Sequence, residues 1–211
     1  MARTQRSPGV LRAPQQARSR RTREQILEAA VACFEQAGFD ETTTAQIARR
    51  ARIAVGSFYG YFRDKRAILL ELLHATIDEI ADVVVKELDP DGWRGRDPAE
   101  CVRRLIALIV HSQTIRPGVQ RIIWERYFKD ADFRAAAQKV ETRVRAALET
   151  LLAALRAEGG VRVRDDVTSA FLVHAAVQWT TVRVTLGDAG VDAEAAIEAT
   201  SDMISRFLFA D

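Results

Sequence analysis

The chain has 211 residues, 31 Lys+Arg against 29 Asp+Glu for a net charge of +2, and 48% hydrophobic side chains. That content excludes a disordered polymer and allows one large or two small domains. The longest apolar runs, Ala67 to Leu70 and Leu105 to Val110, fall far below the ~18 residues of a membrane span, so a cytoplasmic chain with no membrane partner is expected.

Residues 1–17 hold Pro8, Gly9, Pro14, three arginines and no acid, which reads as a disordered basic arm. Arg20-Arg21 leads into Thr-Arg-Glu-Gln rather than the apolar run of an export signal. From Ser19, the spacing of Ile26, Leu27, Ala30, Phe34 and Ala37 marks one face of a helix. Gly38 supplies a left-handed end, with Phe39 closing the cap. Thr43-Thr44-Ala45-Gln46 fits a capping box and predicts a short helix to about Ala51, followed by a turn near Arg52 and a second short helix from Val55 to Tyr61. A long amphipathic helix follows over 64–88, its 25 residues spanning roughly 37 Å.

Asp89-Pro90-Asp91-Gly92, continuing to Pro98, is the clearest linker. Beyond it, helical patterns run over 98–115, 118–129, 131–158, 164–186 and 193–209, punctuated by Arg116-Pro117-Gly118, Asp130, Gly159-Gly160 and Gly187-Asp188-Ala189-Gly190. The whole chain reads all-α, about nine helices. Cys33 and Cys101 sit within apolar helical patterns and read as buried small hydrophobes; no disulfide framework, cofactor or metal site is expected.

Charge divides along this plan. Positions 1–66 carry +7 and positions 67–211 carry −5. Such asymmetry points to a module that meets nucleic acid or a charged surface, joined to an acidic body. The positive portion holds the segment 43–62, where Ile47, Ala48, Ala51, Ile53 and Phe58 let two short helices cross and pack on the helix before them, as in a helix-turn-helix. Gly56 and Ser57 at the front of the second helix leave room for backbone to approach DNA.

Residues 19–70 resemble the N-terminal domain of the TetR (tetracycline-repressor) family of transcriptional regulators. The residues that carry the resemblance are Ile26-Leu27-Glu28-Ala29-Ala30, Phe34, Ala37-Gly38-Phe39, Thr42-Thr43, Ile47-Ala48, Ile53, Val55 through Phe62, Lys65 and Ile68-Leu69. It implies a helix-turn-helix DNA-binding domain over 18–66 and a helical effector-binding and dimerisation domain over 67–211. The partners implied are a palindromic double-stranded DNA operator, a second copy of the chain, and a small hydrophobic effector that releases the repressor. Two positions depart from the family pattern: Arg52 stands where Gly is usual in the turn, and Ala54 where Ser often caps the recognition helix. A left-handed non-glycine costs about 1 kcal/mol, and a missing cap roughly as much.

By matched position, Thr43 caps the first motif helix and touches phosphate, with Thr44 beside it. Val55, Gly56, Ser57 and Gly60 face the major groove, Tyr59 reaches phosphate or a base edge, and Lys65 either reaches a flanking phosphate or is an ordinary surface charge. Tyr61 is either core or phosphate contact, and Arg52 either contacts phosphate or is solvated. The recognition helix is poor in Arg, Asn and Gln, so Val55 against a thymine methyl and shape readout outweigh bidentate base reading. The seven arginines before Glu24 either add counterion release or belong to an unengaged tail.

In the body, polar and aromatic groups on apolar faces mark a ligand chamber: Trp93, Ile109, Gln113, Trp124, Tyr127, His174, Gln178 and Trp179. Phe171, Ala175, Val182 and Leu186 in one helix and Ile197, Ile204, Phe207 and Leu208 in the next form stripes that serve either a dimer interface or the internal core. An enzyme is the rival class. Glu71-Leu-Leu-His74 lacks the second copy that a di-iron bundle needs, and no P-loop or nucleophile elbow is present. The other rival is a DNA-binding regulator without a small-molecule effector.

Overall fold

The computed structural model describes residues 12–113, 117–187 and 190–209. Among them are nine α-helices: α1 (Arg12–Ala37), α2 (Thr44–Arg50), α3 (Val55–Phe58), α4 (Lys65–Glu87), α5 (Pro98–Gln113), α6 (Pro117–Lys129), α7 (Ala131–Ala157), α8 (Asp166–Leu186) and α9 (Ala193–Leu208). The chain divides into two compact units, Met1–Leu69 and Leu70–Asp211, and the boundary falls inside α4. None of the described helices is long and apolar enough to cross a membrane.

Local chemistry sets most helix ends. Gly38 takes a φ of 79° and its amide donates to Phe34 O at 2.8 Å, ending α1. The Thr43 hydroxyl accepts from the Gln46 amide at 3.2 Å, while Gln46 Oε1 accepts from the Thr43 amide at 2.7 Å, so the capping box is complete. Asp130, Asp165 and Asp192 cap α7, α8 and α9 through their carboxylates, which also complement the positive helix ends. Gly187, at φ 71°, ends α8.

Two expectations are corrected and a third is sharpened. The arm predicted over 1–17 falls partly outside the described residues, and its last six belong to α1, which begins at Arg12. Pro14 stands in the first turn, where its missing amide would have had no helical partner in any case. The recognition helix is shorter than predicted, four residues followed by a turn in which the Gly60 amide donates to Ser57 O at 3.2 Å. The 89–98 linker is structured rather than a plain loop. It makes a 3-10 turn over Pro90–Gly92, and Trp93 then inserts into the body, its indole N–H donating to Glu87 O at 2.8 Å.

In the N-terminal unit α2 packs against α1 and against α3. Ile26, Ala30, Phe34, Ile47, Ala48 and Phe58 are all at most 1% exposed. Phe58 meets Phe62 at 6.2 Å and Phe34 meets Phe39 at 5.3 Å between ring centroids. In the body α5 packs against α9 and α7 against α8, with α6 on α7 and α8. Val84, Leu88, Trp93, Ile106, Leu152 and Ile197 belong to one continuous apolar cluster there. Both cysteines are free and buried.

Candidate nucleic-acid interface and body cavity

The turn between α2 and α3 carries its strain where the sequence departs from pattern. Arg52 adopts a φ of 57°, the one non-glycine among the described residues with positive φ. Ala54 begins α3 without a side-chain cap. The turn holds nonetheless, because Ile53 N donates to Ala48 O at 3.0 Å and Ser57 N to Ala54 O at 2.9 Å. Phe58, fully buried, anchors α3 from below.

What remains of α3 faces solvent. Gly56, Ser57 and Gly60 are exposed, Val55 is 43% exposed and Tyr59 56%. Two large side chains are thus left in water on a short helix and its cap. Tyr59 is also held in place: its hydroxyl and that of Thr44 are 3.1 Å apart, and its ring meets Phe58 edge-on at 5.4 Å. Thr43 and Arg52 are exposed or nearly so, while Thr44 and Tyr61 are half-buried. The two short helices thus present a small polar and apolar surface in fixed geometry, on a unit whose sequence carries excess positive charge.

Lys65 turns inward in this structure. Its ammonium donates to Phe39 O at 2.7 Å, Asp40 O at 2.8 Å and Thr42 O at 2.8 Å, and lies 4.7 Å from the Phe39 ring centroid. All three N–H bonds are directed to the loop between α1 and α2. The Thr42 hydroxyl supports the same loop, directed at Gly38 O (2.7 Å) and Cys33 O (3.2 Å).

The body holds a partly open cavity of about 190 Å³. Trp93, Ile109, Trp124, Tyr127, His174 and Gln178 line it, brought together from α5, α6, α8 and the turn after α4. Two predicted chamber residues do not join them. The side chain of Gln113 lies outside the described set. Trp179 is 46% exposed and turns outward, meeting Trp124 at 5.9 Å and stacking on the exposed Phe128 at 6.3 Å. The cavity also contains Gln120 and Glu141, which the sequence pattern did not single out. A signal for Glu141 exists: it interrupts the stripe Ala137, Val140, Val144, Leu148 on α7 at helical spacing.

Glu141 Oε1 accepts from Gln178 Nε2 at 3.0 Å. Burial holds His174 below its ordinary pKa; Glu141 counteracts this in part, and Arg145 adds to it. Burial, and then the negative charge of Glu141, push the Tyr127 phenol above its ordinary value.

The apolar stripes of α8 and α9 resolve into two faces. Val182, Ile197, Ile204 and Leu208 are at most 4% exposed and are internal, which removes them from any surface between copies. Phe171 and Phe207 are exposed; Ala175 and Leu186 are half-buried. Val167, Phe171, Ala175 and Trp179, four residues apart, form the outward row of α8, and Met203 and Phe207 that of α9.

Residues 26–72 match the family of bacterial regulatory proteins described as the tetR family. The chain is 33% identical over 104 residues to the HTH-type transcriptional regulator TtgR of Pseudomonas putida, covering 48% of this chain and 47% of TtgR. It thus spans about half the length of the curated relatives it matches. Among solved structures, a protein from Mesorhizobium loti described as a TetR-family transcriptional regulator superposes with a TM-score of 0.73 at 17% identity, over 92% of this chain and 99% of that one. SmeT, the repressor of the Stenotrophomonas maltophilia multidrug efflux pump SmeDEF, gives 0.67 at 22% identity, over 90% and 91%. SmeT has also been solved as a complex with triclosan. These likenesses extend the fold over nearly the whole chain.

Proposed function

From the premise that the N-terminal domain is of the tetR family, we propose that the protein is a transcriptional repressor that binds a palindromic operator as a dimer and leaves it when a small hydrophobic molecule enters the body cavity. The observation that carries the DNA-binding half is the exposure of Val55, Ser57, Tyr59 and Gly60 around a helix anchored by the fully buried Phe58. A short helix with its N-terminus free suits the major groove, with phosphate contacts setting register and Val55 reading apolar base edges. Arg52 is the flanking phosphate donor of this reading, and Thr43, whose hydroxyl is directed to Gln46 Oε1 at 3.0 Å, fixes the start of α2 beside it. Lys65 supports the surface from behind, holding the loop that precedes α2.

The dimer face in this reading is the outward row of α8 and α9, centred on Phe171, Trp179 and Phe207. A closed two-fold pairing covers these side chains in both copies at once and sets two recognition helices about one DNA turn apart. The effector half rests on the cavity, whose apolar walls and few convergent polar groups suit a small ligand. The ligand favours the released conformation, with α4 as the element that passes the change on. Swinging a population from 1:99 to 99:1 requires about 5.5 kcal/mol of differential affinity.

Selection of DNA from a random-sequence library by the full-length chain should enrich an inverted repeat. Val55→Glu, which places a carboxylate on an exposed position, should weaken binding to that repeat by at least about tenfold with an unchanged melting temperature. Enrichment of no repeat, or full affinity in Val55→Glu, would sink the assignment.

A further inference from the structure

The cavity is lined by one acidic side chain, Glu141, and no Lys or Arg stands beside it in the wall. Burial shifts His174 and Tyr127 toward their neutral forms. Among the described residues no Lys or Arg forms an ion pair with Glu141, and its carboxylate accepts from the Gln178 amide alone. Arg145, one turn further along α7, bears on His174 rather than closing on Glu141. The walls add a second feature with the same sign. Trp93, Trp124 and Tyr127 are aromatic members of the wall, the latter two 5.4 Å apart between centroids, and aromatic rings attract cations over their faces.

A neutral apolar ligand that dries this cavity leaves the carboxylate with a single amide donor, a costly arrangement in an apolar setting. A cation supplies the missing counter-charge and meets the aromatic faces as well. We propose that the cavity selects a small organic cation, an ammonium group on an apolar body, with Glu141 as its counter-ion and Gln178 fixing the carboxylate. This rests on the reading of the cavity as the effector site and narrows it to a ligand class.

The probes are benzyltrimethylammonium and its uncharged carbon isostere neopentylbenzene, titrated calorimetrically into the full-length chain and into Glu141→Gln. The wild type should bind the cation at least about tenfold more tightly than the isostere. In Glu141→Gln the two should fall within about threefold of each other, as cation affinity drops and the isostere, relieved of the buried carboxylate, binds at least as tightly as to the wild type and so reports an intact cavity. Equal binding of both probes by the wild type overturns the cation proposal and leaves the effector cavity standing, as does a preference that survives Glu141→Gln. Binding of neither probe overturns the effector reading and the cation proposal with it.

Discussion

In the N-terminal unit, polar groups fix the backbone: one ammonium, that of Lys65, holds three carbonyls of a single loop, and a complete capping box starts the helix that follows. In the body the corresponding interior is apolar and underfilled, with about 190 Å³ left inside a cluster of Leu, Ile, Val and Trp. The contrast matches the two tasks proposed. A surface that reads DNA needs side chains held to within a fraction of an ångström, which directional hydrogen bonds supply. A chamber that admits a ligand needs space, and non-directional apolar packing around a void tolerates a change of occupant.

The sharpest way to break this comparison is to alter packing in each unit. Phe58→Ala should cost about 3–5 kcal/mol, because a fully buried ring is removed from a small close-packed core. Thermal unfolding should show the loss and DNA binding should vanish. Val144→Phe, projecting into the cavity, should cost less than about 1 kcal/mol while abolishing ligand binding. Equal destabilisation by both would mean that the body is as tightly packed as the N-terminal unit.

Next in size is the ammonium tie. Lys65→Met keeps the stem and deletes the donors, and should destabilise the protein by about 2–3 kcal/mol, read from denaturant unfolding. Lys65→Arg should recover less than half, since a planar fork cannot converge on three carbonyls. A stable Lys65→Met that loses only DNA affinity would restore a phosphate role to this residue.

Arg52→Gly sharpens the comparison by relieving strain. Removing a side chain from a left-handed backbone, offset by glycine's greater freedom when unfolded, should raise stability by about 0.5–1 kcal/mol. If the DNA affinity of Arg52→Gly drops instead, Arg52 contacts phosphate.

The smallest expected effect is in the body. His174 titrates below the ordinary histidine value of about 6.5 because it is buried, with Arg145 adding to the shift and Glu141 opposing it. The unfolded chain therefore takes up this proton first, so stability is full above pH 6.5 and declines as pH falls toward the folded-state value. Melting temperatures of the wild type should fall over that window, and His174→Gln should flatten the slope.

Legibility in the sequence follows the range of the interactions. Gly38, the Thr43–Gln46 box and the aspartate caps act within a few residues, so helix ends are readable to within one or two positions along most of the chain. The role of Lys65 is not, because its partners lie 23 to 26 residues earlier in a loop whose carbonyl directions no pattern announces. On α8 the apolar residues occupy two faces, Val173 and Val177 inward and Phe171 and Trp179 outward. A single amphipathic stripe cannot be drawn through such a helix, and one that is drawn through Phe171 takes in Val182, which is buried. Glu141 is visible as a charge in an apolar row, but its meaning depends on Gln178 arriving from another helix.

The aromatic residues around the cavity carry an optical consequence. The three tryptophans of the chain are distributed between two environments: Trp93 and Trp124 line the cavity, while Trp179 stands on the outer row. Replacing Trp179 with Phe leaves an emission that originates from the cavity walls alone. Replacing the other two leaves a single fluorophore on the face expected to meet a second copy. On the proposed reading, these variants report occupancy and pairing in turn, with no label attached.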